Sequence, residues 1–452
     1  MGVRMGVITA SLLRAMRSSM HFQTVPIIVE LAEGSNVAGV AAQVNSLTGI
    51  EIRQVLPMSN AFSVIAPTDI VDRLAGLNYV KTIHLDQPMY AFQDPPLPPD
   101  PLGLLGSTQN QIEQIMADPR IFITPGEGWI GTAEAIKAIG VPELHSRNIK
   151  GQGVSVWVLD TGVDPTTPQL QGVVSGMHST TLGTPMDGNG HGTFCACEIA
   201  GQYYVEPVLK IPMLGVAPEC ELHTVKVLTD LGMGNTSDIL KGMELALSNN
   251  ASVISLSLGG DGSAEEEETD LMVTLINKSA ETHPKTIFVI AAGNSGSEGE
   301  TAGSTVGVPA VAEECVAVGA TSLIDSGKRA HYSSTGPTLQ AKRIKPDICA
   351  PGGGLAYTKG RMKGLGDLYA GTAFGSQLDP NDGLLNSATS LKGTSMATPL
   401  VAGCCALFKQ ITSELTARDI KKMFEKYGAR KTNELGHGQI DARWILQALG
   451  QM

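Results

Sequence analysis

The chain has 452 residues, 42% hydrophobic and 17% charged, which makes it long enough for more than one domain and too apolar for general disorder. Its net charge of 32 − 44 = −12 argues against nucleic acid as the main partner, because phosphate recognition needs clustered Lys and Arg. Glycine is in excess at 52, with 10 in residues 1–128 and 42 in residues 129–452, so tight turns and close backbone approaches concentrate in the second part.

Met1–Met20 carries Arg4, Arg14 and Arg17 around a short uncharged stretch, Met5–Leu13, with no small-residue cleavage pattern. Residues 1–23 are expected to be a tail without a secretory signal, although the arginine spacing also fits an organelle presequence. No apolar run approaches the ~18 residues of a membrane span. Seven cysteines, an odd number that includes the neighbours Cys404 and Cys405, do not form a disulfide framework. They read as small buried hydrophobes and favour a reducing, intracellular compartment, with secretion as the alternative.

Residues 24–92 read as a small α+β unit. Val25–Glu30 is a β-rich run, and Ser35 caps a helix through Leu47. Ile50–Leu56 and Ala61–Ala66 form a hairpin about Pro57–Asn60. Pro67–Leu77 is a second helix, and Val80–Leu85 closes the unit. The order β-α-β-β-α-β predicts a ferredoxin-like fold. Residues 93–128 follow as a Pro-rich linker built on 94–101, with one short helix at Gln109–Met116.

From Trp129 to Leu449 the pattern changes. Val154–Leu159, Leu222–Val227, Val253–Leu258, Thr286–Ala291 and Cys315–Val318 are continuous apolar runs. Ser237–Leu247 and Glu265–Ala280 have helical character, with Glu265–Glu268 as a solvated first turn. Strands buried on both faces and alternating with helices predict an α/β fold with a doubly wound, mostly parallel sheet. Function in such sheets gathers beyond the carboxyl ends of the strands.

Asp160-Thr161-Gly162 closes the first of these runs. Alone, it reads equally well as an Asx turn. Asn189-Gly190-His191-Gly192-Thr193 places a histidine between glycines ahead of a helical stretch. His191, Cys195 and Cys197 fail as a zinc set, because positions 195 and 197 do not share a helix face and no further pair completes four ligands. Ala291-Ala292-Gly293-Asn294-Ser295-Gly296 puts a side-chain amide at a strand end, where a plain turn is the default reading. Gly393-Thr394-Ser395-Met396-Ala397 sets a serine just ahead of the apolar helix Leu400–Gln410, with its hydroxyl and N–H near the positive helix end.

These motifs, in this order, resemble the subtilisin-like serine proteases (subtilases) from about Trp129 to Leu449. The resemblance implies a serine endopeptidase acting on extended polypeptides. Ser395 would be the nucleophile, His191 the general base and Asp160 its orienting carboxylate. The oxyanion would be met by Asn294 and the Ser395 N–H. Gly232, Met233 and Gly234 resemble one substrate-pairing edge, and Ser257, Leu258, Gly259 and Gly260 the other, with pocket wall. Residues 24–92 resemble the inhibitory propeptide of such enzymes, which makes the chain a zymogen whose first partner is its own propeptide. The chemistry requires no cofactor. Calcium is common in the family, and no ligand set for it is identifiable here; the Asn and Asp of 380–383 fit a simple turn equally well. Gly354–Ser390 reads as an insertion. Two rival readings remain: a non-catalytic binding module on the same fold, and a dinucleotide-binding protein, which lacks the GxGxxG expected after the first strand.

Overall fold

The computed structural model describes residues 7–18, 24–48, 50–92, 129–260, 267–296, 305–323, 327–354, 356–358, 361–363, 367–379 and 387–450. The Pro-rich linker, its helix at Gln109–Met116 and the turn at 380–383 lie outside the described residues.

The second part is organised by a seven-stranded parallel sheet. Its spatial order is Ile348–Pro351, Val316–Thr321, Ile287–Ala291, Val253–Leu256, Ser155–Asp160, Glu221–Lys226, Val174–Ser179. Alternate residues of the strands enter two separate cores. Val156, Val158, Val289 and Val318 pack against the helices His191–Ala200 and Thr394–Ile411. Trp157, Leu159, Ile254 and Ile290 pack toward Thr236–Ser248 and Leu271–Thr282. Both faces are covered, which is why the strands read as unbroken apolar runs. The chain enters at Ser155–Asp160, builds outward on one side and then crosses to Val253–Leu256 on the other. That reversal opens a crevice at the carboxyl ends of these two strands, next to Asp160 and Ser257.

Two strands of this sheet escaped the sequence reading. Val174–Ser179 is an edge strand that is only half-buried, so it lacks the apolar signature. Ile348–Pro351 contains Cys349 and ends in Pro351, features that do not announce a strand. The helix expected from Glu265 begins at Leu271, because Asp270 caps it by accepting from Met272 N and Val273 N. Glu267 is not solvated: it is buried, and its carboxylate accepts from Gln340 N. Within the insertion, Asp367–Gly371 pairs with Ala388–Leu391 and, in parallel, with Trp129–Gly131.

The front unit has its own core of Ile27, Val29, Phe62, Val64, Val71 and Ile83. Its strands Thr24–Leu31, Ile52–Leu56, Ala61–Pro67 and Val80–Leu85 lie in the spatial order fourth, first, third, second, all antiparallel. Residues 7–18, expected as a tail, instead form a strand parallel to Val80–Leu85 and the helix Ala10–Ser18, with Leu12 fully buried. Among the described residues, no helix is long and apolar enough to cross a membrane.

Candidate active site

Asp160 terminates its strand and His191 opens the next helix. Asp160 Oδ1 accepts from Thr161 N at 2.7 Å and pairs with His191 Nδ1 at 2.8 Å. Both side chains are buried. Asp160 therefore fixes which imidazole nitrogen faces outward, leaving Nε2 toward the crevice.

Ser395 lies in the first turn of its helix, not ahead of it. Gly393 is the cap, with φ of 154°, and Met396 N closes the turn on Gly393 O at 3.1 Å. The Ser395 N–H thus has no acceptor within the helix. Pro399, four residues on, has no N–H to offer Ser395 O. That carbonyl is taken instead by Ser257 Oγ at 2.9 Å and by Cys195 Sγ at 3.7 Å. Ser395 Oγ donates to Ser257 O at 2.9 Å. Among the described residues, His191 Nε2 has no hydrogen-bond partner, so the serine is turned away from the imidazole.

The crevice is filled by the chain itself. Pro88–Ala91 runs antiparallel between Met233–Asn235 and Leu258–Gly259 as the middle of three strands. Ala91 N donates to Gly232 O at 3.0 Å, and Phe92 N to Ser257 O at 3.3 Å. The seven residues expected to bind substrate all border this segment, Gly260 by standing against Met89. Met89 and Ala91 are buried while Tyr90 faces out, the alternation of a strand with one covered face.

Phe92 ends the segment beside Asn294 and Gly393. Asn294 Nδ2 donates to Phe92 O at 3.0 Å. The other end of that amide accepts from Thr394 N and Thr394 Oγ1, each at 2.9 Å, which orients the donor toward Phe92. A Cβ at Gly393 would stand 2.8 Å from Phe92 O, and one at Gly259 would stand 2.4 Å from Phe92 Cζ. Only glycine permits the carbonyl and the ring to lie where they do. Sequence reading placed residues 88–92 within the inhibitor-like unit 24–92 but did not single out Pro88–Ala91 as a strand. The available signal was a short strand-like run at the end of that unit, just ahead of the prolines.

The front unit grips the helix Thr236–Ser248 with polar groups. Asp86 accepts from Ser237 N at 2.9 Å and Ser237 Oγ at 2.7 Å, across the helix start. Burial pushes its carboxyl up to about 6, against these hydrogen bonds and the nearby Arg53. Glu244 accepts from Ser59 N and Oγ at 2.8 and 2.9 Å, and Gln54 donates to Thr180 O at 2.9 Å.

Asp160, His191 and Cys195 form the one group of three potential metal ligands with mutually close atoms among the described residues. Its nitrogen, sulfur and carboxylate donors do not fit calcium, which takes six to eight oxygens. Cys197, weighed with His191 and Cys195 as a zinc ligand, is not in this group. All seven cysteines are buried and unpaired.

Residues 151–438 match the profile described as the subtilase family. The serine protease AprX of Bacillus subtilis is 32% identical over 324 residues, 66% of this chain and 67% of that protein. Subtilisin E of the same species is 34% identical over 306 residues, 67% of this chain and 68% of its own. Subtilisin Savinase of Lederbergia lenta is 35% identical over 311 residues, 68% of this chain and 96% of its own.

Proposed function

This chain belongs to the subtilase family and is a subtilisin-like serine endopeptidase of polypeptides, and we propose that Ser395, His191 and Asp160 carry its chemistry while residues 24–92 hold it latent. The observation that carries this reading is the hydrogen bond from Asn294 to the carbonyl of Phe92. Residues 88–92 lie as a substrate would, with the Phe92–Gln93 peptide bond next in the chain.

Attack begins with a turn of the Ser395 side chain from Ser257 O toward His191 Nε2. His191 takes the hydroxyl proton as Ser395 Oγ bonds to the carbonyl carbon, and Asp160 stabilises the imidazolium. Asn294 Nδ2 and Ser395 N–H receive the oxyanion. Collapse breaks the C–N bond, and His191 delivers its proton to the leaving amine. Water repeats the sequence on the acyl-enzyme and frees the acid. No metal enters these steps.

The side chains in the cleft support a substrate preference for a large apolar residue before the scissile bond and another three residues earlier. Phe92 and Met89 occupy those positions. Seven buried free thiols support a reducing compartment as the place of work. The test of the catalytic reading is covalent labelling by a fluorophosphonate. Ser395 should be the labelled residue, and Ser395→Ala should remain unlabelled. A folded, propeptide-freed enzyme that resists the probe would return the chain to the binding-module reading.

A further inference from the structure

We infer that Asp187 is a positioning residue for the reaction, a single carboxylate that locks Asp160 and His191 to one another; the inference rests on the catalytic assignment of that pair. Asp187 is buried. Its Oδ1 accepts from Thr161 Oγ1 at 2.9 Å, Asn189 N at 3.0 Å and Gly190 N at 2.8 Å. Its Oδ2 accepts from Thr193 N at 2.9 Å and Thr193 Oγ1 at 2.6 Å. Thr161 follows Asp160, and Gly190 and Thr193 flank His191. Thr161 Oγ1 in turn accepts from Gly192 N at 2.9 Å. The loop that presents Asp160 and the helix that presents His191 are therefore tied through one side chain.

The chemistry of the hub demands a carboxylate. Every neighbour is a donor, and both oxygens are used. An amide accepts at one atom only, so Asp187→Asn turns an NH2 toward existing donors on one side. A carboxylate at the start of the helix that begins with His191 is also favoured by the helix dipole.

A second tether keeps the fold in place without Asp187. Lys226 Nζ donates to Thr161 O and, at 2.6 Å, to Asp230 Oδ1. Asp230 Oδ1 accepts from Gly188 N at 3.1 Å, and Asn189 Nδ2 donates to Asp230 O at 3.0 Å. Loss of Asp187 thus loosens the catalytic pair on a loop that is still anchored.

The test is steady-state kinetics of purified Asp187→Asn beside wild type, Thr161→Val and Thr161→Ser. In Asp187→Asn, kcat falls about 10- to 100-fold, as expected for a small misplacement of reacting groups, while KM stays within about twofold. Thr161→Ser, which keeps the hydroxyl, recovers most of the kcat that Thr161→Val loses. An unchanged kcat in Asp187→Asn would overturn the proposal, as would equal losses in Thr161→Val and Thr161→Ser. If Asp187→Asn does not fold, the Thr161 pair decides. A wild-type enzyme that is not labelled at Ser395 by a fluorophosphonate sinks the catalytic assignment itself, a separate failure.

Discussion

The side-chain amide of Asn294 donates to the main-chain carbonyl of Phe92 at 3.0 Å, although 202 residues separate them in sequence. The front unit is thereby held in the crevice at the atom that hydrolysis would attack. The same amide is oriented by Thr394, the residue before Ser395.

If Asn294 supplies the oxyanion donor, its loss should act on the transition state. Asn294→Leu is expected to lower kcat about 10²–10³-fold with little change in KM. Peptide kinetics check this; a loss confined to KM would assign Asn294 to ground-state binding.

Gly259 sets the room for the Phe92 ring. A Cβ there would stand 2.4 Å from Phe92 Cζ and 2.7 Å from Val308 O. Gly259→Val should cut kcat/KM for a peptide ending in Phe before the scissile bond by at least about tenfold relative to one ending in Ala. An unchanged Phe-to-Ala ratio would place the specificity pocket elsewhere.

The fold class and the chemistry-bearing motifs were legible because they are local. Apolar runs mark the buried strands, and Asp160, His191, Asn294 and Ser395 sit in short glycine-flanked motifs. What was not legible depends on distant contacts. The role of Phe92 requires Asn294 and Gly259, which lie far along the chain. Asp187 reads locally as the first residue of a turn, since it accepts from N–H groups two and three residues on. Only the fold brings Thr161 to it. The fifth strand, Val7–Ile8, was read as tail because two residues carry no periodicity.

Grip by the front unit should weaken as pH rises. Burial in the complex pushes the Asp86 carboxyl from 3.8 to about 6, with Arg53, Asp238 and Ser237 facing it. Burial also raises Glu244, which faces Ser59 and Lys241. A group whose pKa is higher in the complex than when free takes up a proton on binding, so affinity is fullest below the free value and falls between about pH 4 and pH 6. The Asp86 shift allows a change of up to roughly 100-fold in Kd. Inhibition by residues 7–92 added in trans, measured from pH 4 to 8, checks the sign, and Asp86→Asn should flatten the profile. Tighter inhibition at higher pH would contradict it.

Glu198 lies on the helix of His191, fully buried, and neither of its carboxyl oxygens has a hydrogen-bond partner among the described residues. Burial holds its pKa well above the usual carboxylate range. The unfolded chain loses this proton near 4.5 and the folded chain keeps it, so stability falls as pH rises from there toward the folded value. Glu198→Met should raise stability by about 1–3 kcal/mol through loss of an unpaired buried polar group. The gain should be larger at pH 8 than at pH 5 in calorimetric melts. A destabilised variant at both values would mean that Glu198 has a partner.

If the chain carries its own first substrate, Ser395 cuts the bond after Phe92. Intact-mass spectrometry of purified wild type and Ser395→Ala reads that bond, and tolerates a cyclised N-terminal Gln93. Wild type should yield a fragment ending at Phe92 and a mature chain beginning at Gln93, with Ser395→Ala uncleaved. Active wild type that keeps the Phe92–Gln93 bond intact, or Ser395→Ala cut at the same place, would contradict it.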